Sequence, residues 1–122
     1  MDLSALISQL LNGLASASSL FLIAAGLSLI FGVTRVVNFA HGSFFMLGVY
    51  IAYTLVTQLS NILPHALAYW ICIILTSLVV GLLGALIEIT VLRRIYKAPQ
   101  IFQLLGTFAL VLIIKDLSLI HI

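Results

Sequence analysis

The sequence predicts an all-α integral membrane protein, a polytopic transmembrane helical bundle of about four spans. Residues 3–34 and 36–87 contain no Asp, Glu, Lys or Arg, and the second run is 52 residues long. Hydrophobic residues make up 64% of the 122 residues, charged residues 7%, and the mean hydropathy is +1.36. Because a helix rises ~1.5 Å per residue through a hydrocarbon core ~30 Å thick, about 20 apolar residues make one crossing. The longer run therefore holds two crossings, and a soluble domain of this size could not bury so much apolar surface.

Polar and helix-breaking residues divide residues 1–122, taken as a single transmembrane domain, into its spans. The first span ends before Arg35, the first basic residue. The second ends at the polar string TQLSN, and the third follows Pro64, with Tyr69 and Trp70 placed as interfacial aromatics. The fourth starts at Pro99, which the first turn of a helix tolerates. The predicted spans are residues 6–31, 43–58, 66–92 and 99–114.

The distribution of basic residues predicts the orientation of these spans. If the spans alternate, four basic residues share one side of the membrane and Lys115, beside Asp116, stands alone on the other. Short loops rich in Lys and Arg are retained on the cytoplasmic side. The amino terminus is therefore expected outside. The topology-setting residues are Arg35, Arg93, Arg94 and Lys97.

A stripe of small residues on the third span predicts a helix-packing face. At about 100° per residue, Gly81, Gly84 and Glu88 fall within one quadrant, together with Ser77 and Ala85. Helices in lipid associate through small residues that let their backbones approach, so this face is expected to contact another helix. The alternative is that Gly and Ala are simply common in membrane helices.

A polar segment between the first two spans contains the candidate pathway residues. Polar groups at membrane depth are costly unless they face a cavity or a protein partner. A glycine permits unusual backbone conformations, and Asn or Ser can cap exposed amides, so the second helix could start part-way into the bilayer. The alternative is a plain cytoplasmic turn, with its arginine at the headgroups. The candidate pathway or helix-break residues are Asn38, His41, Gly42 and Ser43.

Glu88 has two interpretations. An acid inside a membrane helix can bind protons or cations, but Arg93 and Arg94 follow within two turns and favour an ion pair near the cytoplasmic interface. The chain has no nucleophile with a base at workable spacing and no phosphate-binding glycine loop, so we expect no enzyme activity and no cofactor. Cys72 stands alone, which offers no metal-ligand spacing. The basic residues are too few and scattered for nucleic-acid binding.

Three stretches of the chain resemble the permease subunits of branched-chain amino acid ABC importers, the LivH type. These are GLSLIFGVTRVVNFAHGSFFMLGVYIAY at 26–53, IEITVLRRIYKAP at 87–99 and LLGTFALVLIIKDL at 104–117. The order of Gly, Phe-Gly-Val, Arg, Asn-Phe-Ala-His-Gly and Leu-Gly in the first stretch is hard to obtain from generic hydrophobicity.

The resemblance implies a multi-pass subunit of a bacterial inner (plasma) membrane that forms part of a translocation pathway. It also implies three partners in addition to the lipid bilayer: a second permease subunit, cytoplasmic ATP-binding subunits that hydrolyse the ATP, and a periplasmic or extracellular solute-binding protein. Related members carry urea or short amides, so the motif does not fix the solute. Members of the family are roughly double this length or more, and we therefore expect an amino-terminal fragment or truncated chain.

Two other classes of function remain open at this stage. One is a small four-helix dimeric proton-coupled transporter, with Glu88 as its coupling acid. Its length and span count fit, but such transporters usually carry the essential acid in the first helix, where this chain has none. The other is a non-transporting scaffold subunit, which would have no obvious need for the polar segment.

Overall fold

Four apolar helices dominate the structure, a computed structural model that describes residues 2–121. Each of the four is long and apolar enough to cross a membrane, and the described residues contain no β-strand. The predicted all-α fold is therefore confirmed. The chain divides into two compact units, residues 1–35 and residues 36–122.

The first unit is one long helix, α1 (Leu3–Thr34), none of whose residues is buried. It ends at Arg35, whose backbone N–H donates a hydrogen bond to the carbonyl oxygen of Phe31 at 2.8 Å. Arg35 adopts the left-handed conformation, with φ 55° and ψ 22°. A left-handed conformation costs a residue with a Cβ about 1–2 kcal/mol, so α1 ends at a strained arginine where glycine would be favoured.

The second unit contains the other three apolar helices. They are α2 (Ala40–Leu59), a long helix made of α3 (His65–Ile87), a π-helical turn (Glu88–Leu92) and α4 (Arg93–Ile95), and finally α5 (Gln100–His121). α2 packs against both α3 and α5, and α5 also packs against the π turn and α4. α2 therefore lies between α3 and α5 and contacts both.

The turn between α2 and α3 forms at the polar string that the sequence marks. The side-chain amide of Asn61 donates to the carbonyl oxygen of Thr57 at 3.2 Å, and the Ser60 hydroxyl donates to the same oxygen at 3.2 Å. Both bonds satisfy the Thr57 carbonyl oxygen, which lies in the last turn of α2 where helical partners run out. Pro64 then sits immediately before α3, where its missing N–H costs nothing.

The helices extend past the predicted spans at most of their ends. α1 begins and ends three residues beyond the predicted span, and α2 begins at Ala40 rather than at residue 43. The long third helix continues to Ile95, and α5 runs from Gln100 to His121, through Lys115 and Asp116. Charged side chains mark membrane boundaries but do not interrupt a helix, so a span predicted from charge is shorter than its helix.

A small buried cluster joins the three helices of the second unit. Ala40 on α2 is fully buried and meets Leu92 of the π turn and Leu110 on α5. Phe44, Ile87, Val91 and Tyr96 pack around these three residues. Because the start of α2 and the end of the long third helix meet in this cluster, the polar segment before α2 and the basic residues after Leu92 lie at the same end of the unit.

Candidate functional site

Asn38 caps the start of α2. Its side-chain oxygen Oδ1 accepts a hydrogen bond from the backbone N–H of Ala40 at 3.0 Å, and its carbonyl oxygen accepts one from the N–H of His41 at 3.3 Å. The first amides of a helix have no partners within the helix, and Asn is among the residues that best supply one. The capping suggested by the sequence is thus present, and it lets α2 begin with the buried Ala40.

The other polar residues of this segment differ in their surroundings. Ser43 is buried, His41 is half-buried, and Gly42 is exposed. Gly42 lies inside α2, and no described glycine has a positive φ. The prediction that Gly42 supplies an unusual backbone conformation is therefore wrong. The left-handed residue is Arg35, where no sequence signal pointed to one.

The π turn brings Glu88 and Arg93 together. The Arg93 Nε donates to the Glu88 carboxylate Oε1 at 3.4 Å, which makes an ion pair between residues five apart. In an α-helix residues three or four apart face each other, whereas the wider π turn brings residues five apart into line. The predicted pairing of Glu88 with a basic group is present, and the π turn is the geometry that permits it.

The ion pair is open to the surroundings of the chain rather than enclosed. The Arg93 side chain is 66% exposed and that of Glu88 37% exposed. A pair with this exposure in water contributes about 0–1 kcal/mol, so it fixes the direction of the two side chains more than it stabilises the fold. Its local effect is that one acid offsets one of the three basic residues at this end of the unit.

Tyr96 follows the ion pair and packs against the buried cluster. Burial raises the pKa of its phenol above the ordinary value of 10.0, and the nearby Glu88 carboxylate raises it further. The Arg93 guanidinium acts in the opposite direction. Tyr96 is therefore a neutral hydrogen-bonding group at physiological pH.

Gln103 holds the connection between α4 and α5, a role that the sequence reasoning missed. Its side-chain Nε2 donates to two backbone carbonyl oxygens of the connection, that of Tyr96 at 3.1 Å and that of Ala98 at 2.9 Å. Gln103 is only 9% exposed. One turn later the fully buried Thr107 hydroxyl bonds back to the carbonyl oxygens of Gln103 and Leu104. A glutamine in the first turn of an apolar helix, three residues after Gln100, was the signal that could have found this contact.

Gly106 lets α5 approach α4 closely. A Cβ placed on Gly106 would lie 2.6 Å from the Cδ1 of Ile95, far inside van der Waals contact. Gly48 on α2 is a milder case, because a Cβ there would lie 3.7 Å from the Cγ2 of Val80. Neither glycine was among the predicted packing residues.

The predicted packing residues on α3 have no intrachain contact of this kind. A Cβ on Gly81 or Gly84 would meet no atom within 4 Å among the described residues. The stripe lies beside the face that α3 turns to α2, which includes the buried Ala68 and Cys72. Packing of Gly81, Gly84 and Glu88 against another helix therefore stays a prediction.

An open groove of about 680 Å³ lies along α2 and the distal half of α5. Its lining is mainly apolar, with the hydroxyl-bearing Tyr50, Tyr53, Thr54 and Ser118 among leucine and isoleucine side chains. It lies toward the far end of α2 from the capped start, because its lining residues begin only at Leu47.

Comparisons with known proteins find similar sequences among transport permeases. A stretch of 52 residues is 44% identical to the high-affinity branched-chain amino acid transport system permease protein BraD of Pseudomonas aeruginosa, and covers 43% of this chain and 17% of that protein. A stretch of 51 residues is 35% identical to the corresponding LivH proteins of Salmonella typhimurium and Escherichia coli K12, covering 42% of this chain and 17% of each. No solved structure matches the chain.

The aligned stretch is thus less than a fifth of the length of these relatives. These similarities do not support the alternative of a small proton-coupled transporter. The sequence matches the permease component family of branched-chain amino acid transport systems over residues 9–119, nearly its whole length. The chain belongs to the family of branched-chain amino acid transport system permease components.

Proposed function

We propose that this chain supplies helices to the membrane-spanning permease of an ABC importer for branched-chain amino acids or related small solutes. The observation that carries the proposal is the buried cluster of the second unit. Ala40, Leu92 and Leu110 come from the three separate stretches that resemble the family, and they meet in one place. The residues that resemble the family therefore build a common packing centre rather than three unrelated helices.

The charge distribution supports a cytoplasmic location for the capped end of the second unit. Arg93, Arg94 and Lys97 lie at this end, while Lys115 lies near the far end of α5 beside Asp116. By the positive-inside rule, the basic end faces the cytoplasm of the bacterial inner membrane. Arg35 then belongs to the same side, and the amino terminus lies outside.

In this orientation, the polar segment lies on the cytoplasmic half of the pathway. Asn38, His41 and Ser43 cluster at the start of α2, where the helix amino terminus carries a partial positive charge. Intramembrane helix starts of this kind line the solute sites of transporters. We assign these residues, with Gly42, to the wall of the pathway.

The partners follow from the family. A second permease subunit would complete the pathway, ATP-binding subunits would drive it from the cytoplasm, and a solute-binding protein would deliver the solute from outside. The small-residue stripe at Gly81 and Gly84 on α3 suits contact with the second permease, because within the second unit a Cβ at either glycine would meet no atom within 4 Å.

Reconstitution tests the assignment. The chain is combined in liposomes with the second permease, the ATP-binding subunits and the binding protein of a branched-chain amino acid importer. Leucine-stimulated ATP hydrolysis is expected with the chain and not without it. Gly81→Leu should prevent co-purification of the chain with the second permease, while Leu86→Ile, on another exposed face of α3, should not. Absence of leucine stimulation in a fully assembled complex would contradict the proposed function.

A further inference from the structure

Two basic residues, one in the last turn of the long third helix and one in the connection after it, are not neutralised by the ion pair described above. Glu88 is paired with Arg93, and the remaining cations of this region, Arg94 and Lys97, are both exposed. Within residues 2–121 the ion pair that the structure contains is the one between Glu88 and Arg93. The basic connection, residues 93–99, therefore carries two exposed cations without an acidic partner among the described residues.

The backbone that carries these cations is held in place. Gln103 donates hydrogen bonds to the carbonyl oxygens of Tyr96 and Ala98, on either side of Lys97. Ile95, next to Arg94, packs against Gly106 at close range. A pre-ordered backbone lowers the entropic cost of binding a ligand. The basic connection thus has a backbone held by hydrogen bonds and two exposed charged side chains.

Apolar residues continue directly from the cations along α5. Ile101, Phe102 and Leu105 are 72%, 62% and 68% exposed. At about 100° per residue they share the face of α5 opposite to the buried Gln103 and Leu110. A positive group at the end of a membrane span, followed by an exposed apolar face, matches an amphiphile with a negative head and hydrocarbon tails.

We propose that Arg94 and Lys97 bind the phosphate of an anionic phospholipid, whose acyl chains lie along Ile101, Phe102 and Leu105. One apolar helix ends at Ile95 and the next begins at Gln100, so Arg94 and Lys97 lie at the level expected for phospholipid headgroups. Basic residues immediately outside a span attract anionic headgroups. This site is separate from the pathway role proposed above and does not depend on it.

Lipid titration of the purified chain in detergent tests the site. Native mass spectrometry compares phosphatidylglycerol with phosphatidylcholine of the same acyl chains. The chain should bind phosphatidylglycerol more tightly. Arg94→Gln with Lys97→Gln should weaken that binding roughly 30-fold, about fivefold for each cation, without changing phosphatidylcholine binding. Lys115→Gln, at the far end of α5, is the matched control and should change neither.

The substitution Glu88→Gln should tighten phosphatidylglycerol binding, and a misfolded variant would not give this result. It removes one negative charge and releases Arg93, so phosphatidylglycerol binding should tighten about fivefold. Inorganic phosphate should not displace the lipid, because it lacks the acyl chains. The site is refuted if the double variant binds phosphatidylglycerol like the unmodified chain, if Glu88→Gln weakens binding, or if inorganic phosphate competes fully.

Discussion

Substitution of Gly106 by alanine measures how closely α5 approaches α4. The added Cβ would lie 2.6 Å from the Cδ1 of Ile95, about 1 Å closer than an ordinary carbon contact. Overpacking of this kind costs about 1–3 kcal/mol, and alanine returns about 0.5–1 kcal/mol through its better helix propensity. Gly106→Ala should therefore lower the free energy of unfolding by about 0–2.5 kcal/mol.

The substitution Ile95→Val removes the clashing Cδ1. In that background Gly106→Ala should raise the free energy of unfolding instead of lowering it. The nearest remaining Ile95 atoms lie 3.8 Å from the new Cβ, an ordinary contact. Ile95→Val alone costs about 0.5–1.5 kcal/mol, but in its background Gly106→Ala should stabilise by about 0.5–1 kcal/mol. The two changes should thus be coupled by about 1–3 kcal/mol in a double-mutant cycle.

Unfolding in mixed micelles, followed by far-ultraviolet circular dichroism as the sodium dodecyl sulfate fraction rises, supplies the four stabilities of the cycle. Gly48→Ala is the matched control, because its Cβ would meet Val80 at 3.7 Å, an ordinary contact, and should stabilise modestly. The reasoning is refuted if Gly106→Ala stabilises as much as Gly48→Ala, or if its effect is the same with Ile95 and with Val at that position.

Three further predictions concern buried hydroxyls, the cap and the phenol. The buried Thr76 hydroxyl has no hydrogen-bond partner, so Thr76→Val should raise the unfolding free energy by about 1 kcal/mol or more in the same assay. Thr107→Val should not raise the unfolding free energy, because the Thr107 hydroxyl already donates a hydrogen bond to the carbonyl oxygen of Gln103. Asn38→Ala should cost about 1 kcal/mol by removing the cap of α2, whereas Asn38→Asp keeps the acceptor and should lose less. Because the pKa of Tyr96 is raised above 10.0, its phenol holds its proton more tightly in the folded chain. The stability that this shift contributes is present below pH 10.0 and is lost as the pH rises through the raised pKa of Tyr96. Tyr96→Phe should remove that loss of stability at high pH. It should also remove the part of the phenolate absorbance change that occurs at the highest pH.

The apolar helices could be predicted from the sequence because the membrane imposes a simple length rule. Charge-free runs separated by Arg35, by the string before Pro64 and by the basic connection leave few other ways to place four crossings. Helix ends were less predictable, since α2 begins where Asn38 supplies a hydrogen-bond acceptor and not where the polarity changes. Local capping decides the boundary.

The contacts within the site depend on tertiary packing and could not be predicted from the sequence pattern. The string Glu88–Leu92 contains ordinary helix-compatible residues, and its π turn is tied to the packing of both Ile87 and Leu92 at the same cluster. The two bonds of Gln103 require carbonyls whose positions depend on the fold of the connection. Gly106 was visible as a residue, but its need for space arises only from the position of Ile95.

The π turn also sets the rotational phase of everything that follows it. A π turn holds one more residue than an α turn over nearly the same rise, so the same residues in α geometry would rotate the rest of the helix by about 100°. Arg94 would then swing about a quarter-turn around the helix axis, and Ile95 would no longer face Gly106. Removal of one residue from Glu88–Leu92 would instead restore α geometry with both sides of the helix in register, so Ile95 would still face Gly106.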